Sequence, residues 1–168
     1  HAPDLFNPWV DALAAASNTH ITTLNDFTGA LKKRHDFFHQ MGGRLSDHGL
    51  CHAYGDFPSD REAGAIFGRA RSGHAATPEE HRRFASYMML VFGRLDAEKG
   101  WTKQLHLGAR RNNNTLAFQK LGPDVGFDSI GDWPQADLLA AYLDRLDQEG
   151  ALPKTIIYNL NPADNYVM

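Results

Sequence analysis

The sequence predicts an α/β fold that forms part of a (β/α)8 TIM-type barrel, and three observations carry that expectation. Segments with helical spacing alternate with short β-rich runs, the pattern of βαβ units and a parallel sheet. No glycine-rich phosphate turn follows a strand, as an open doubly wound sheet would require. Polar residues gather at each of three strand ends, where a barrel carries its chemistry: Asp47-His48, His106 with Arg111, and Asn159 to Asn161. A closed eight-fold barrel needs roughly 250 residues. The 168 residues here therefore hold about three βα units, read as one fragment of a single barrel domain over 1–168, with a helical insertion around 59–99.

Each element follows from local signals. The chain opens irregularly. Leu24, Phe27, Leu31, Phe38 and Met41 then recur at helical spacing, with Thr23 as cap and Gly42-Gly43 as the stop. A first strand is expected over 44–48. Ser59 and Glu62 form a capping box ahead of the stripe Ala63, Ile66, Phe67, Ala70, which Gly73 closes. Thr77-Pro78-Glu79-Glu80 starts the next helix, with proline at its first position; Phe84, Met88, Val91 and Leu95 form its apolar face, and Gly100 ends it. Tyr87 and Met89 are expected in the core beside them. A second strand is expected from Trp101 to His106. Asp132 with Pro134 begins a helix carried by Leu138, Leu139, Tyr142, Leu143 and Leu146, closed by Gly150. The last strand, 155–160, starts with a near-continuous apolar run, which predicts burial on both faces.

Composition narrows the class of function. The chain is 42% hydrophobic and 22% charged, with a formal net charge of −3. That balance points away from nucleic acid and from anionic membrane surfaces. An acidic small molecule would have to be met by local arginines. The single cysteine, Cys51, allows no internal disulfide and no cysteine-based zinc site, which fits a reduced, cytoplasmic setting. No apolar run approaches the roughly 18 residues of a membrane span.

The least ordinary stretch runs from Gln104 to Asn114. A histidine closes a strand, Gly108 permits a tight turn, and two arginines with three asparagines crowd the loop. Histidine moves protons near neutral pH, and arginine offers a planar fork to a carboxylate. Asparagines supply the neutral hydrogen bonds a polyhydroxy ligand needs. Asp47-His48 is a second candidate. His35 and His39 imitate the helical zinc pair of HExxH, but Asp36 is too short for the glutamate role and no third ligand is indicated. His48 and His52 share that spacing in a loop.

Four runs carry a resemblance to a known family: GGRLSDHGL from Gly42, QLHLGARRNNN from Gln104, LGPDVGFDSIGD from Leu121 and LPKTIIYNLNPADN from Leu152. They resemble uronate isomerase, and the likeness extends from about Pro3 onward. The resemblance implies a distorted (β/α)8 barrel of the amidohydrolase superfamily, with these strands as the fifth, sixth and seventh of a longer protein. It implies interconversion of D-glucuronate with D-fructuronate and of D-galacturonate with D-tagaturonate. Asp47, His106 and Arg111 match family active-site positions. His106 and Asp47 are thereby expected to be catalytic, and Arg111, His48 and Asn112 to bind substrate. A divalent metal such as zinc is implied for the full-length family, held by a His-x-His and a later Asp, neither of which this sequence contains. Two departures stand out: alanine occupies positions 2 and 163, where the family usually has arginine.

The expected partners are a small-molecule uronate and either further copies of the chain or the missing barrel segments, with no nucleic acid and no membrane. The fragment alone is expected to be inactive. Competing readings are a metal-dependent hydrolase of the same superfamily and a degenerate, non-enzymatic sugar-acid-binding domain.

Overall fold

The computed structural model describes residues 3–168; Ala2, one of the two departures from the family pattern, lies outside them. The irregular start is corrected at once, because Pro3–Ser17 is a helix, α1, with Pro8 inside it. Helix α2, Leu24–Gln40, begins at a reciprocal cap: Thr23 accepts from the Asp26 N–H, and the Asp26 carboxylate accepts from the Thr23 N–H at 2.8 Å. Those bonds, with further ones from Thr22, hold the Asp26 carboxyl far below the usual carboxylate range. The same device starts α3, Asp60–Arg71, at Ser59 and Glu62, and α4, Pro78–Lys99, at Thr77 and Glu80. Gly100 ends α4 in the left-handed region, at φ 66°.

Three strands make one parallel sheet: β1 (Leu45–Leu50), β2 (Thr102–Leu107) and β5 (Thr155–Asn159), in the order β1-β2-β5. Helices α3 and α4 connect β1 to β2. The return from β2 to β5 carries a short antiparallel pair, β3 (Ala109–Arg110) with β4 (Ser129–Ile130), then α5 (Thr115–Leu121) between them, and finally α6 (Ala136–Gln148). Neither β3, β4 nor α5 was expected. Helix α6 also starts later than Asp132 suggested. Its cap residue, Gln135, makes no capping bond and instead reaches back to the loop after β1, accepting from the Ala53 N–H at 2.8 Å.

Two cores share α4. Val10, Leu13, Leu24, Phe27, Phe67 and Met88 pack the first, among α1 to α4. Met89 and Leu90, one step round the same helix, join Leu105, Leu107, Leu139, Tyr142 and Leu146 in the second, beneath the sheet. Phe84 and Tyr87 are partly buried against the first core. Helices α4 and α6 approach so closely that a Cβ on Gly93 would meet Leu146 Cδ1 at 2.5 Å, so a larger residue there would have to displace the Leu146 side chain.

The sheet is covered on one face. Lys103, Leu105 and Leu107 point into the helices, while Gln104, His106 and, in register, Ile156 and Tyr158 occupy the other face. The expectation that the last strand is buried on both faces is corrected. Ile156, Ile157 and Tyr158 are 42, 36 and 40% exposed, because among the described residues β5 has β2 as its only strand neighbour.

A buried polar cluster lies under β1 and β2. Lys103 is 0% and Asp96 1% exposed. The Lys103 ammonium donates to Asp96 at 2.6 Å and lies 3.1 Å from His48 Nε2 and 3.4 Å from Ser46 Oγ. Ser46 donates to the same Asp96 oxygen at 2.6 Å, and His35 meets the other at 3.2 Å. Every donor of the ammonium is therefore matched, as a buried charge requires.

Candidate active site on the open face of the sheet

On the open face, β1 presents Asp47 and Gly49, and β2 presents His106. Gly49 is the register partner of His106. Having no side chain, it leaves a gap that Asp47, two residues earlier on the same face, fills by reaching His106: Oδ1 to Nδ1 is 2.7 Å. Tyr158, the register partner of His106 on β5, lies flat on the imidazole with ring centroids 4.3 Å apart and planes within 5°. With Nδ1 engaged by Asp47, Nε2 is the ring nitrogen left to meet a ligand.

The loop after β2 brings in the cation. Gly108, at φ 97°, turns the chain sharply out of the strand, and the β3–β4 pair ties the loop to residues 129–130. Arg111 projects beyond that clamp. One guanidinium nitrogen donates to Asp128 at 2.6 Å; the other lies over Gly49, 3.5 Å from where a Cβ would stand. Asp128 is held below its ordinary range first by the Asn112 N–H, at 2.8 Å, and then by Arg111. Asp128 in turn pushes the Arg111 guanidinium up, keeping it charged. Asp47, Gly49, His106, Arg111, Asp128 and Leu160 are among the walls of one open cleft of about 660 Å³, a volume suited to a small ligand. A second concavity, of about 90 Å³ between α1, α3 and α4, is lined mainly by Phe6, Ile66, Phe67 and Phe84 and has no comparable convergence of charged groups.

The expected site residues divide. Asp47, His106 and Arg111 come together in the cleft. His48 does not: strand alternation sends it to the helix side, where it stacks on Phe92 at 5.3 Å. Burial, with the Lys103 ammonium beside it, pushes its imidazole down to about 4, so it is neutral at pH 7. Asn112, in the left-handed region at φ 55°, engages Asp128 through its main chain. Asn113 bonds the Arg110 carbonyl and Ser129, and Asn114 caps α5. Asn159 and Asn161 are likewise used locally, around the short 3-10 helix Pro162–Tyr166 that contains Ala163.

His35 and His39 do not face a common ion. His35 meets Asp96, and His39 Nδ1 accepts from the Trp101 indole at 2.9 Å. His52 contacts the Ala53 carbonyl, far in direction from His48. Among the described residues no three His, Cys, Asp or Glu side chains gather closely enough to hold a metal ion, and the His-x-His that the resemblance implies as a ligand pair is not in this sequence. No helix of the described residues is long and apolar enough to cross a membrane.

Asp128, Gly49 and Tyr158 were missed. Asp128 has no sequence signal that separates it from Asp124 in the same glycine-containing loop. Tyr158 was hidden in an apolar run, yet counting by twos along β5 puts it on the face of Ile156, opposite His106.

Comparison with known proteins gives a consistent result. Residues 2–168 match the model of the glucuronate isomerase family. The uronate isomerase of Solibacter usitatus is 75% identical over 168 residues, covering 100% of this chain and 36% of that protein. That of Opitutus terrae is 58% identical, covering 98% and 35%. The crystal structure of uronate isomerase from Thermotoga maritima superposes with a TM-score of 0.88 at 31% identity, over 94% of this chain and 35% of that one. Glucuronate isomerase from Caulobacter crescentus gives 0.83 at 27% identity, over 92% and 32%. The chain thus spans about a third of the length of the relatives it matches.

Proposed function

The chain belongs to the glucuronate isomerase family, and from that premise we propose that it supplies part of the active site of an aldose–ketose isomerase acting on D-glucuronate and D-galacturonate. The three parallel strands are the fifth, sixth and seventh of a (β/α)8 barrel, residues 59–99 are a helical insertion between two of them, and the open face of the sheet is the barrel interior. Cytoplasmic sugar-acid catabolism is the setting, and the remaining barrel strands are the partner of this segment.

The observation that carries the reading is the Asp47–His106 pair at 2.7 Å in one cleft with Arg111. Isomerisation removes the proton on C2 of the open-chain aldose, passes through an enediol and returns a proton to C1. It needs a base that takes the C2 proton and returns it to C1, a proton carrier at the carbonyl oxygen, and a positive group for the negative charge that develops there. That base would come from other parts of the full-length protein. Asp47 holds His106 Nδ1, so Nε2 faces the substrate and exchanges the proton at the oxygen. Arg111 binds substrate oxygens with the guanidinium edge not given to Asp128, and Asn112 supports it by fixing Asp128. A divalent metal would be held by other parts of the full-length protein.

The test is turnover of D-glucuronate and D-galacturonate by the full-length protein and by its His106→Asn variant, with uptake of solvent deuterium into product. A positioned acid–base group contributes about 10² to 10⁴-fold in rate, so the variant is expected to lose at least about a hundredfold in kcat. Near-normal turnover in the variant would sink the assignment of His106, and absence of isomerisation in the unmutated protein would sink the function.

A further inference from the structure

We propose that Tyr158 is a positioning residue for His106: its ring face fixes the imidazole plane and so aims Nε2 into the cleft. This deepens the reading of that cleft as an isomerase site and rests on it. The geometry leaves little else to do the job. Asp47 binds one ring nitrogen, and a single hydrogen bond tolerates a spread of angles, so a half-exposed ring can still rock while keeping it. His106 is 40% exposed at its side chain, so it is not gripped by a packed core. On the β1 side its register neighbour is Gly49, which offers no side chain to lean on. On the β5 side its register neighbour is Tyr158, parallel to within 5° at 4.3 Å. The hydrogen bond and the stacked plane together define the direction of Nε2; either alone does not.

The placement also explains an aromatic residue on an exposed strand. A phenol lying flat on an imidazole blocks one ring face from water. It presents its negative π-face to the imidazole whenever that ring carries a positive charge in transit. The phenolic oxygen is not required for either effect, which separates this role from hydrogen bonding to substrate.

The experiment compares Tyr158→Phe, which keeps the stack, with Tyr158→Leu, which keeps apolar bulk without a ring face, in the full-length protein. Two readouts are taken: steady-state kinetics with D-glucuronate, and spectra of ring-labelled histidine with His106 assigned through His106→Asn. The Phe variant is expected within about twofold of the unmutated kcat, with the upfield ring-current shift of the His106 protons retained. The Leu variant is expected to lose roughly tenfold in kcat, the scale of one aromatic pair, with KM little changed and the ring-current shift gone. Equal losses in the Phe and Leu variants would overturn the proposal in favour of a hydroxyl contact. Full turnover in the Leu variant despite loss of the shift would overturn it outright. Should the unmutated protein not isomerise uronates, the isomerase reading fails, while the spectra still decide the positioning: ordered, shifted His106 resonances in Phe but not in Leu uphold it, and unchanged resonances in Leu refute it.

Discussion

Replacing Lys103 with methionine tests how the back of the sheet supports its front. The side chain is fully enclosed, and its ammonium meets Asp96, His48 and Ser46 within 3.4 Å. Burial pushes its ionisation downward while Asp96 opposes that shift, so the charge depends on the partner. Methionine is close in length and apolar, so little volume is lost. What remains is Asp96, 1% exposed, with only the Ser46 hydroxyl and His35 to satisfy it. Breaking one half of a buried pair typically costs about 3–5 kcal/mol, and the two remaining hydrogen bonds place this case at the lower end, about 3 kcal/mol. Removing both charges together, as Lys103→Met with Asp96→Leu, is expected to recover at least about 2 kcal/mol of the summed single losses. The assay is urea denaturation of the full-length protein and its variants, followed by far-ultraviolet circular dichroism at pH 7. A single variant costing under about 1 kcal/mol, or strictly additive losses in the double variant, would refute the view that these charges depend on each other.

Two other outcomes are expected. Arg111→Lys exchanges a planar fork for a point charge and should lower kcat/KM by roughly tenfold to a hundredfold, with stability almost unchanged because its ion pair with Asp128 is exposed; steady-state kinetics and a denaturation curve check both parts. His48 is protonated more readily in the unfolded chain, at about 6.5, than in the fold, at about 4. Its contribution is therefore fully present above pH 6.5 and is lost as pH falls from 6.5 to 4, by roughly 3 kcal/mol in total. The stability difference between the unmutated protein and His48→Gln should follow that window, and parallel curves would contradict it.

Much of the frame was legible because its signals are local. The capping boxes at Ser59 and Thr77 and the left-handed stops at Gly73, Gly100 and Gly150 are written within a few residues, and the structure uses each. Helix α1 was not legible, since Pro8 near its start interrupts the pattern that Val10 and Leu13 complete only by packing on other helices. The start of α6 after Gln135 rather than at Asp132 was not legible for a similar reason: the partners of Gln135, Ala53 and Cys51, are more than eighty residues away. In the site, Asp47 and His106 could be picked out by residue type near the expected strand ends, although β1 runs on to Leu50 and places Asp47 within the strand. That His48 belongs elsewhere depends on which face of β1 the helices cover. That Tyr158 covers His106 depends on register between strands some fifty residues apart in sequence. Neither is stored in any short window. The exposure of β5, against its apolar composition, follows from its lack of a second strand neighbour among the described residues.

The alternation along β1 has a consequence for how this segment can vary. Asp47 and His48 are adjacent in the chain but serve opposite sides of the sheet, one touching His106 and the other Lys103. Inserting or deleting one residue just before Asp47 would exchange their faces, sending a carboxylate under the helices and an imidazole into the cleft. Both the ion-paired floor and the Asp47–His106 pair would be lost in a single step. The strand itself therefore admits substitution but not a shift of frame.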